Sequence, residues 1–357
     1  MNTYIRRLSQ ILLAPLSALY GLGISARAFF YSSGILKSSE FSIPVISVGN
    51  LSVGGAGKTP HVEYLIRLLK DYVYVATLSR GYKRKTKGFL LVHPRQSANE
   101  VGDEPLQYKR KYPDVAVAVG ENRSLAIPEI VQQAPQTQVV ILDDAFQHLA
   151  ISPSLNILLT EYQHLFTDDY LLPSGRLREW RSGYERADAI VVSKCPPDLS
   201  MERRERIVEK IAPLDHQRVF FSYYKYSSPY YLFNSKYRAQ LNQEVDVLLI
   251  CAIAKTDYLL DHLESEVKSI VLMSFEDHHY FTKHDIGSLR ATFERMKGEK
   301  KVILTTEKDA MRLELHRDYL VEHQLPVFVL PVQVNFLFDE QEHFNEYIRH
   351  HLLSFRV

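Results

Sequence analysis

The chain of 357 residues carries 43 basic and 42 acidic side chains, a net charge of +1, and is 46% hydrophobic and 24% charged. That balance is ordinary globular chemistry, gives no global field that would draw nucleic acid, and suits two domains better than one. The two cysteines, Cys195 and Cys251, sit in separate apolar segments without zinc-ligand spacing, as buried thiols of a reducing compartment do.

Residues 8–26, between Arg7 and Arg27, bear no charge. The stretch approaches the length of a membrane span. Pro15, Gly21, Gly23 and several serines argue against a span, and no small-x-small processing site precedes Phe29-Phe30-Tyr31. Residues 1–40 therefore read as a helix lying in a membrane interface, with Arg6, Arg7 and Arg27 toward the head groups. A soluble helix packed on the body of the protein is the alternative.

A short apolar strand follows at Pro44-Val-Ile-Ser-Val48, then a glycine-rich turn, then a helix over 58–70 with Val62, Leu65, Ile66 and Leu69 at helical spacing. Further apolar runs at 72–78, 115–119, 139–142, 155–159 and 189–192, separated by helical stretches, predict a mostly parallel sheet covered on both faces. The pattern turns aromatic and extended at 219–226. A second α/β unit is predicted from strands at 245–250, 269–273, 302–305 and 327–330 with a helix over 283–296. The C-terminal stretch 340–353 is amphipathic, with Phe344, Ile348 and Leu352 on one face. The expected domains are a membrane-associating helix (1–40), an α/β core (41–217), a smaller α/β domain with linker strands (218–335) and a terminal helix (336–357).

The strongest local signal is Ser52-Val-Gly-Gly-Ala-Gly-Lys-Thr59 between a strand and a helix, the setting a P-loop requires. Gly54, Gly55, Ala56 and Gly57 let backbone amides wrap phosphate at a helix N-terminus. Lys58 would reach the β- and γ-phosphates, and Thr59 would ligate Mg²⁺. Ser52 stands where the first glycine of the general pattern sits. The run Val139-Val-Ile-Leu-Asp143-Asp144 ends a second strand in two carboxylates, whose mutual repulsion a Mg²⁺ ion would offset.

Other polar groups on loops after strands are candidates for the chemistry: Ser79-Arg-Gly-Tyr82, Asp103 in Val101-Gly-Asp-Glu-Pro105, Arg123, Gln147 and His148, Leu177-Arg-Glu-Trp180, and Asp277-His-His-Tyr280. Asp103 also suits a helix cap and the arginines suit surface ion pairs. His278, His279 and His284 lack the partners of a zinc site.

The motif set as a whole resembles the tetraacyldisaccharide 4′-kinase family. The residues that carry the resemblance are Gly49-Asn50 with Val53-Gly-Gly-Ala-Gly-Lys-Thr-Pro60, Ser79-Arg-Gly-Tyr82, Val101-Gly-Asp-Glu-Pro105, Asp143-Asp-Ala-Phe-Gln-His148, Leu172-Pro-Ser-Gly-Arg-Leu-Arg-Glu179, Asp277-His278 with Tyr280 and Thr282, and Thr306-Glu-Lys-Asp309. They occur in the family's order and cover roughly residues 41–310, and the apolar N-terminal helix matches too. The resemblance implies a P-loop NTPase core joined by a strand pair to a smaller α/β domain. It implies transfer of the γ-phosphate of ATP to the 4′-hydroxyl of tetraacyldisaccharide 1-phosphate, a step of lipid A assembly, at the cytoplasmic face of a Gram-negative inner membrane. Carried over by motif position, Lys58 and Thr59 bind phosphate and metal, and Asp143, Asp144 and Glu179 surround Mg²⁺. Asp103, paired with His278, takes the proton from the hydroxyl. On the same ground Gln147 is expected beside the nucleotide, and Arg80, Tyr82, Arg123 and His148 beside the sugar. Ala145 and Trp180 depart from the family pattern, which has glycine and proline at those positions.

Two other readings share part of this signal. A P-loop switch or metallochaperone ATPase would use Lys58, Thr59 and the double aspartate but has no need of the apolar helix or of Asp103 with His278. A membrane scaffold with a structural nucleotide would not need the polar loop residues. Because Asp103 and His278 lie in different halves of the sequence, domain closure is expected to assemble the base, and Thr306-Glu-Lys-Asp309 is expected to touch the nucleotide.

Overall fold

The computed structural model describes residues 3–356, with side chains over residues 10–356. Contacts divide the chain into two compact units. The first takes in the chain up to Arg80, Val115–Tyr224 and the chain from Val334 onward; the second joins Gly81–Asp114 to Lys225–Gln333.

In the first unit the strands lie in the order Val332–Phe336, Arg218–Tyr226, Ala189–Ser193, Leu155–Glu161, Val45–Asn50, Val139–Asp143, Val75–Ser79 and Ala116–Val119. From Arg218–Tyr226 onward each neighbouring pair is parallel. Val45–Asn50 and Val139–Asp143 are buried at every position, as continuous apolar strands of a sheet covered on both faces must be. Their register sets Val48 opposite Asp143, so the turn after one strand and the carboxylates after the other emerge at the same carboxyl edge, where ligands bind in such sheets. Leu51, Phe146, Leu158, Ile190, Val192, Phe221 and Leu337 fuse into one apolar cluster beside that edge. Each such side chain contributes about 1.5–3 kcal/mol on burial, which holds the edge rigid. The C-terminal helix Gln341–Ser354 buries Phe344 and Ile348, with Phe344 stacked 4.3 Å from Phe336.

One strand starts later than its sequence suggests. Tyr72 and Tyr74 are 80% and 62% exposed, and the amides of Tyr72 and Val73 both donate to Leu69 O. The chain is still closing the preceding helix there, so the strand begins at Val75.

The second unit has its own sheet, in the order Asn234–Arg238, Tyr230–Tyr231, Val327–Leu330, Lys301–Thr306, Asp246–Cys251 and Ser269–Ser274. The last four strands pair in parallel and the first two add an antiparallel edge. The segment Gly81–Asp114 groups with this unit, although its place in the sequence suggested the core. Its helix Asp103–Lys111 is tied to the helix Glu307–Leu313 and the turn after it. Lys111 Nζ lies 2.7 Å from Glu307, Arg110 pairs with Glu314, and Tyr280 OH donates to Ala98 O at 3.1 Å. Cys195 and Cys251 are buried free thiols whose pKa burial pushes up to about 12, so they are inert core side chains.

The N-terminal helix Thr3–Ser32 includes a stretch, Gln10–Ser32, long and apolar enough to cross a membrane. Its packing inverts the usual amphipathic pattern. The small residues Ser17 and Gly21 are buried against the first unit, whereas Ile11, Leu12, Leu16, Leu19, Leu22 and Phe29 are each more than half exposed. The side chains of Arg6 and Arg7, expected toward head groups, lie outside the described residues.

Candidate active site

The predicted residues fall into two clusters, one in each unit. In the first, Gly57 caps the helix Lys58–Leu69 with φ +86°, and Gly54 has φ +110°. Both conformations suit glycine, and they turn the loop around the helix N-terminus as anion binding demands. The loop is braced on several sides. His61 Nδ1 lies 2.7 Å from Gly57 O and its Nε2 lies 2.9 Å from Ser222 Oγ. Ser193 Oγ donates to Ala56 O at 2.7 Å, and Val53 N donates to Arg176 O at 2.7 Å. Burial lowers the His61 pKa to about 4, with Gly57 O opposing the shift, so its ring is neutral at physiological pH. Ahead of the loop, a β-carbon on Gly49 would lie 2.6 Å from Phe146 Cβ, which requires glycine in Gly49-Asn50.

Lys58 Nζ lies 3.6 Å from Asp144 Oδ1 and donates to Asn50 Oδ1 at 3.1 Å. Arg178 Nη2 donates to Asp144 Oδ1 at 2.9 Å and to Asn50 Oδ1 at 2.6 Å. Burial works against the Asp144 carboxylate, but Lys58, Arg178 and Arg123 outweigh it and hold its pKa well below the carboxylate range. Asp144 takes the left-handed turn itself (φ +51°), so Ala145 needs no glycine at that point. Thr59 in the first turn of the helix, and Asp143 and Asp144 at the end of the neighbouring parallel strand, carry oxygen donors of the kind that suits Mg²⁺, a hard cation. Glu179 is engaged otherwise: Gln147 Nε2 and Arg186 Nη2 donate to its two carboxylate oxygens, each at 2.8 Å. Gln147 also donates to Asn50 O at 2.9 Å.

Of the residues expected beside the sugar, Arg80 is exposed at the end of its strand and Arg123 is buried, its Nη2 donating to Asp143 O at 3.1 Å. Arg123 thus supports the strand end at Asp143. The pKa of His148 is lowered to about 4, first by burial and then by Arg123, Arg27 and Arg80.

The second cluster centres on Asp103. It lies in the same unit as His278, and His278 Nδ1 is 3.0 Å from Asp103 Oδ2. The fold of one unit therefore makes this pair, and the expectation that domain closure assembles it is corrected. The other carboxylate oxygen accepts from Glu104 N at 2.9 Å, and Arg312 Nη1 lies 3.2 Å from Oδ2. Burial alone would raise the Asp103 pKa, but the His278 hydrogen bond and the charges of Lys308 and Arg312 prevail and lower it. Asp103 is ionised at neutral pH. The ring of Tyr82 sits 4.6 Å from that of His278, and Lys83 Nζ donates to His278 O at 3.1 Å. Sequence reasoning expected the motif that carries Lys308 at the nucleotide rather than at this pair, and it missed Arg312. Their spacing of four places both on one face of the helix opened by Thr306, a signal readable once that cap is recognised.

A profile of the tetraacyldisaccharide-1-P 4′-kinase family matches residues 9–353. The chain belongs to that family. The tetraacyldisaccharide 4′-kinase of Flavobacterium johnsoniae is 43% identical over 345 residues, covering 96% of this chain and 98% of that one. The tetraacyldisaccharide 4′-kinase of Bacteroides thetaiotaomicron is 42% identical over 348 residues, covering 94% and 91%. Among solved structures, the "apo" form LpxK from Aquifex aeolicus in complex with ATP superposes with a TM-score of 0.72 at 32% identity, covering 96% of this chain and 99% of that one. The P-loop α/β fold and the kinase class inferred from the motifs agree with these likenesses.

Proposed function

We infer that this chain transfers the γ-phosphate of ATP to the 4′-hydroxyl of a tetraacylated disaccharide 1-phosphate, a lipid-linked sugar of lipid A assembly. The observation that carries the reading is the bracing of Lys58 and Asp144 at one sheet edge, in a chain whose family and relatives are named for this reaction. Lys58, on a loop capped by a left-handed glycine, matches the charge that develops on the transferred phosphoryl group. Thr59, Asp143 and Asp144 would hold Mg²⁺, which when bound neutralises phosphate charge. Arg178 pairs with Asp144 and helps to hold that carboxylate ionised and in place. Glu179 supports this set through Gln147. Asp103 accepts the hydroxyl proton as the new O–P bond forms and the bond to the leaving phosphate breaks. In a loose transition state that proton leaves late, so an ionised carboxylate held in place serves better than its low basicity suggests.

The N-terminal helix supports a place on a membrane surface. Hydrogen bonds tie it to the first unit from Gln10 O, through Ser17 and Tyr20, to Arg27. At 1.5 Å per residue that attachment runs along about 25 Å, close to the thickness of a bilayer core, so the helix lies along the surface rather than crossing it. The exposed leucines then enter the lipid. ATP as donor assigns the cytoplasmic face.

The test is transfer of labelled γ-phosphate from Mg-ATP to tetraacyldisaccharide 1-phosphate in detergent micelles, by wild type and Asp103→Ala. Transfer by the wild type with near loss in the variant is expected. Release of ADP by folded wild type without labelled lipid would overturn the reading and favour a nucleotide-driven switch.

A further inference from the structure

The motif Thr306-Glu-Lys-Asp309 stands in the second unit, beside Asp103 and His278. Thr306 caps the helix Glu307–Leu313 by accepting from Asp309 N, which aims Lys308 and Arg312 at the pair. Lys308 Nζ lies 2.8 Å from His278 Nε2, nearer than its carboxylate neighbours Glu104 at 3.4 Å and Asp277 at 3.5 Å.

We propose that Lys308 is a positioning residue that fixes His278 as the neutral tautomer protonated on Nδ1, and so fixes the hydrogen bond that orients Asp103. This rests on the reading of Asp103 and His278 as the catalytic pair.

Burial would lower the Lys308 pKa, but Glu104, Asp103 and Asp277 outweigh it and raise it, so the side chain is an ammonium with donors only. His278 Nε2 facing it must accept. Asp103 is an ionised carboxylate and only accepts, so His278 Nδ1 facing it must donate. One tautomer satisfies both contacts; the other sets donor against donor at Nε2 and acceptor against acceptor at Nδ1. An imidazolium would likewise set a proton on Nε2 against the ammonium. Arg312 completes the frame: it is fully buried, pairs with Asp309, donates to Ala252 O at 3.1 Å and lies 3.2 Å from Asp103 Oδ2. His278 N in turn donates to Ala252 O at 3.1 Å, and His278 adopts a left-handed φ of +57°. The backbone that presents the ring is thus held by the same helix that presents Lys308.

Two readouts test this. The first is the two-bond ¹⁵N–¹H spectrum of histidine-labelled full-length protein, with His278→Gln used for assignment. Nδ1 protonated and Nε2 bare is expected, with a mixed pattern in Lys308→Met; Nε2 protonated in the wild type would overturn the proposal without any further variant. The second is kinetic. Lys308→Met is expected to lower kcat by about ten- to hundredfold with KM for Mg-ATP unchanged, to be partly rescued by Lys308→Arg, and to add little in a His278→Gln background. A raised KM for Mg-ATP at full kcat, or losses that multiply in the double variant, would assign Lys308 to the nucleotide instead. Full turnover by His278→Gln would remove the catalytic-pair reading while leaving the spectrum to decide the tautomer.

Discussion

Trp180 packs its indole against Gly21 so closely that a β-carbon at position 21 would lie 2.4 Å from Trp180 Cζ2. The indole N–H donates to Ser25 Oγ at 2.9 Å, and Tyr20 OH donates to Arg178 O at 2.9 Å. The N-terminal helix is therefore fastened to the segment that carries Arg178 and Glu179. A tryptophan that departs from the family pattern has a local reason: glycine on the helix makes the room it fills.

Gly21→Val is expected to force the helix off this seat. Overpacking of this kind costs about 1–3 kcal/mol. Limited proteolysis should cut within the first 32 residues several times faster than in wild type, while affinity for an ATP analogue stays the same. Equal cleavage rates would mean that the contact does not hold the helix.

Lys58→Ala should lower kcat by about 10²–10³-fold, the loss typical of removing one preorganised charge from a phosphoryl transition state. The same substitution leaves Asp144 with Arg178, so the fold should survive with little change in Tm. Near-normal turnover in a folded variant would sink the assignment of the loop.

Protonation of His61 supplies a pH signature. Its folded pKa of about 4 lies below the ordinary 6.5, so the unfolded chain binds a proton first as pH falls. The neutral ring's contribution, about 3 kcal/mol from a shift of that size, is complete above pH 6.5 and is lost between there and about 4. His148 titrates in the same window, so His61→Gln should flatten only part of the decline. The measurement is Tm against pH for both proteins. Their difference should be largest near neutrality and shrink toward pH 4; a difference independent of pH would contradict the shift.

The parts of this site legible in the sequence are those whose physics is local. Gly54 and Gly57 announce positive φ, Lys58 opens a helix, and four apolar residues before Asp143 mark a buried strand, so the phosphate edge can be written down from spacing alone. The hidden parts depend on partners far along the chain. Nothing near Asp103 reveals that its helix packs beside Glu307–Leu313, which draws Gly81–Asp114 into the second unit. The antiparallel strands Tyr230–Tyr231 and Asn234–Arg238 are too short and too exposed to show alternation. Arg178 was visible as a candidate, but its hold on Asp144 and Asn50 needs the bridge that brings Ser52 beside Leu177.

The exposed face of the N-terminal helix gives the remaining prediction. Leu12, Leu19 and Leu22 are 70%, 65% and 65% exposed, and none is needed to seat the helix, which docks through Ser17 and Gly21. Burying a leucine side chain in lipid contributes about 1.5–3 kcal/mol. Replacing Leu12 and Leu19 by Gln should therefore lower partitioning onto vesicles more than tenfold. The Tm and the turnover of acceptor in micelles at saturating detergent should stay close to wild type, because the substituted side chains touch solvent rather than the first unit. Sedimentation with vesicles of bacterial lipid measures the effect. Unchanged sedimentation would show that these leucines do not enter the bilayer, and a loss of Tm would show that they pack on the protein after all.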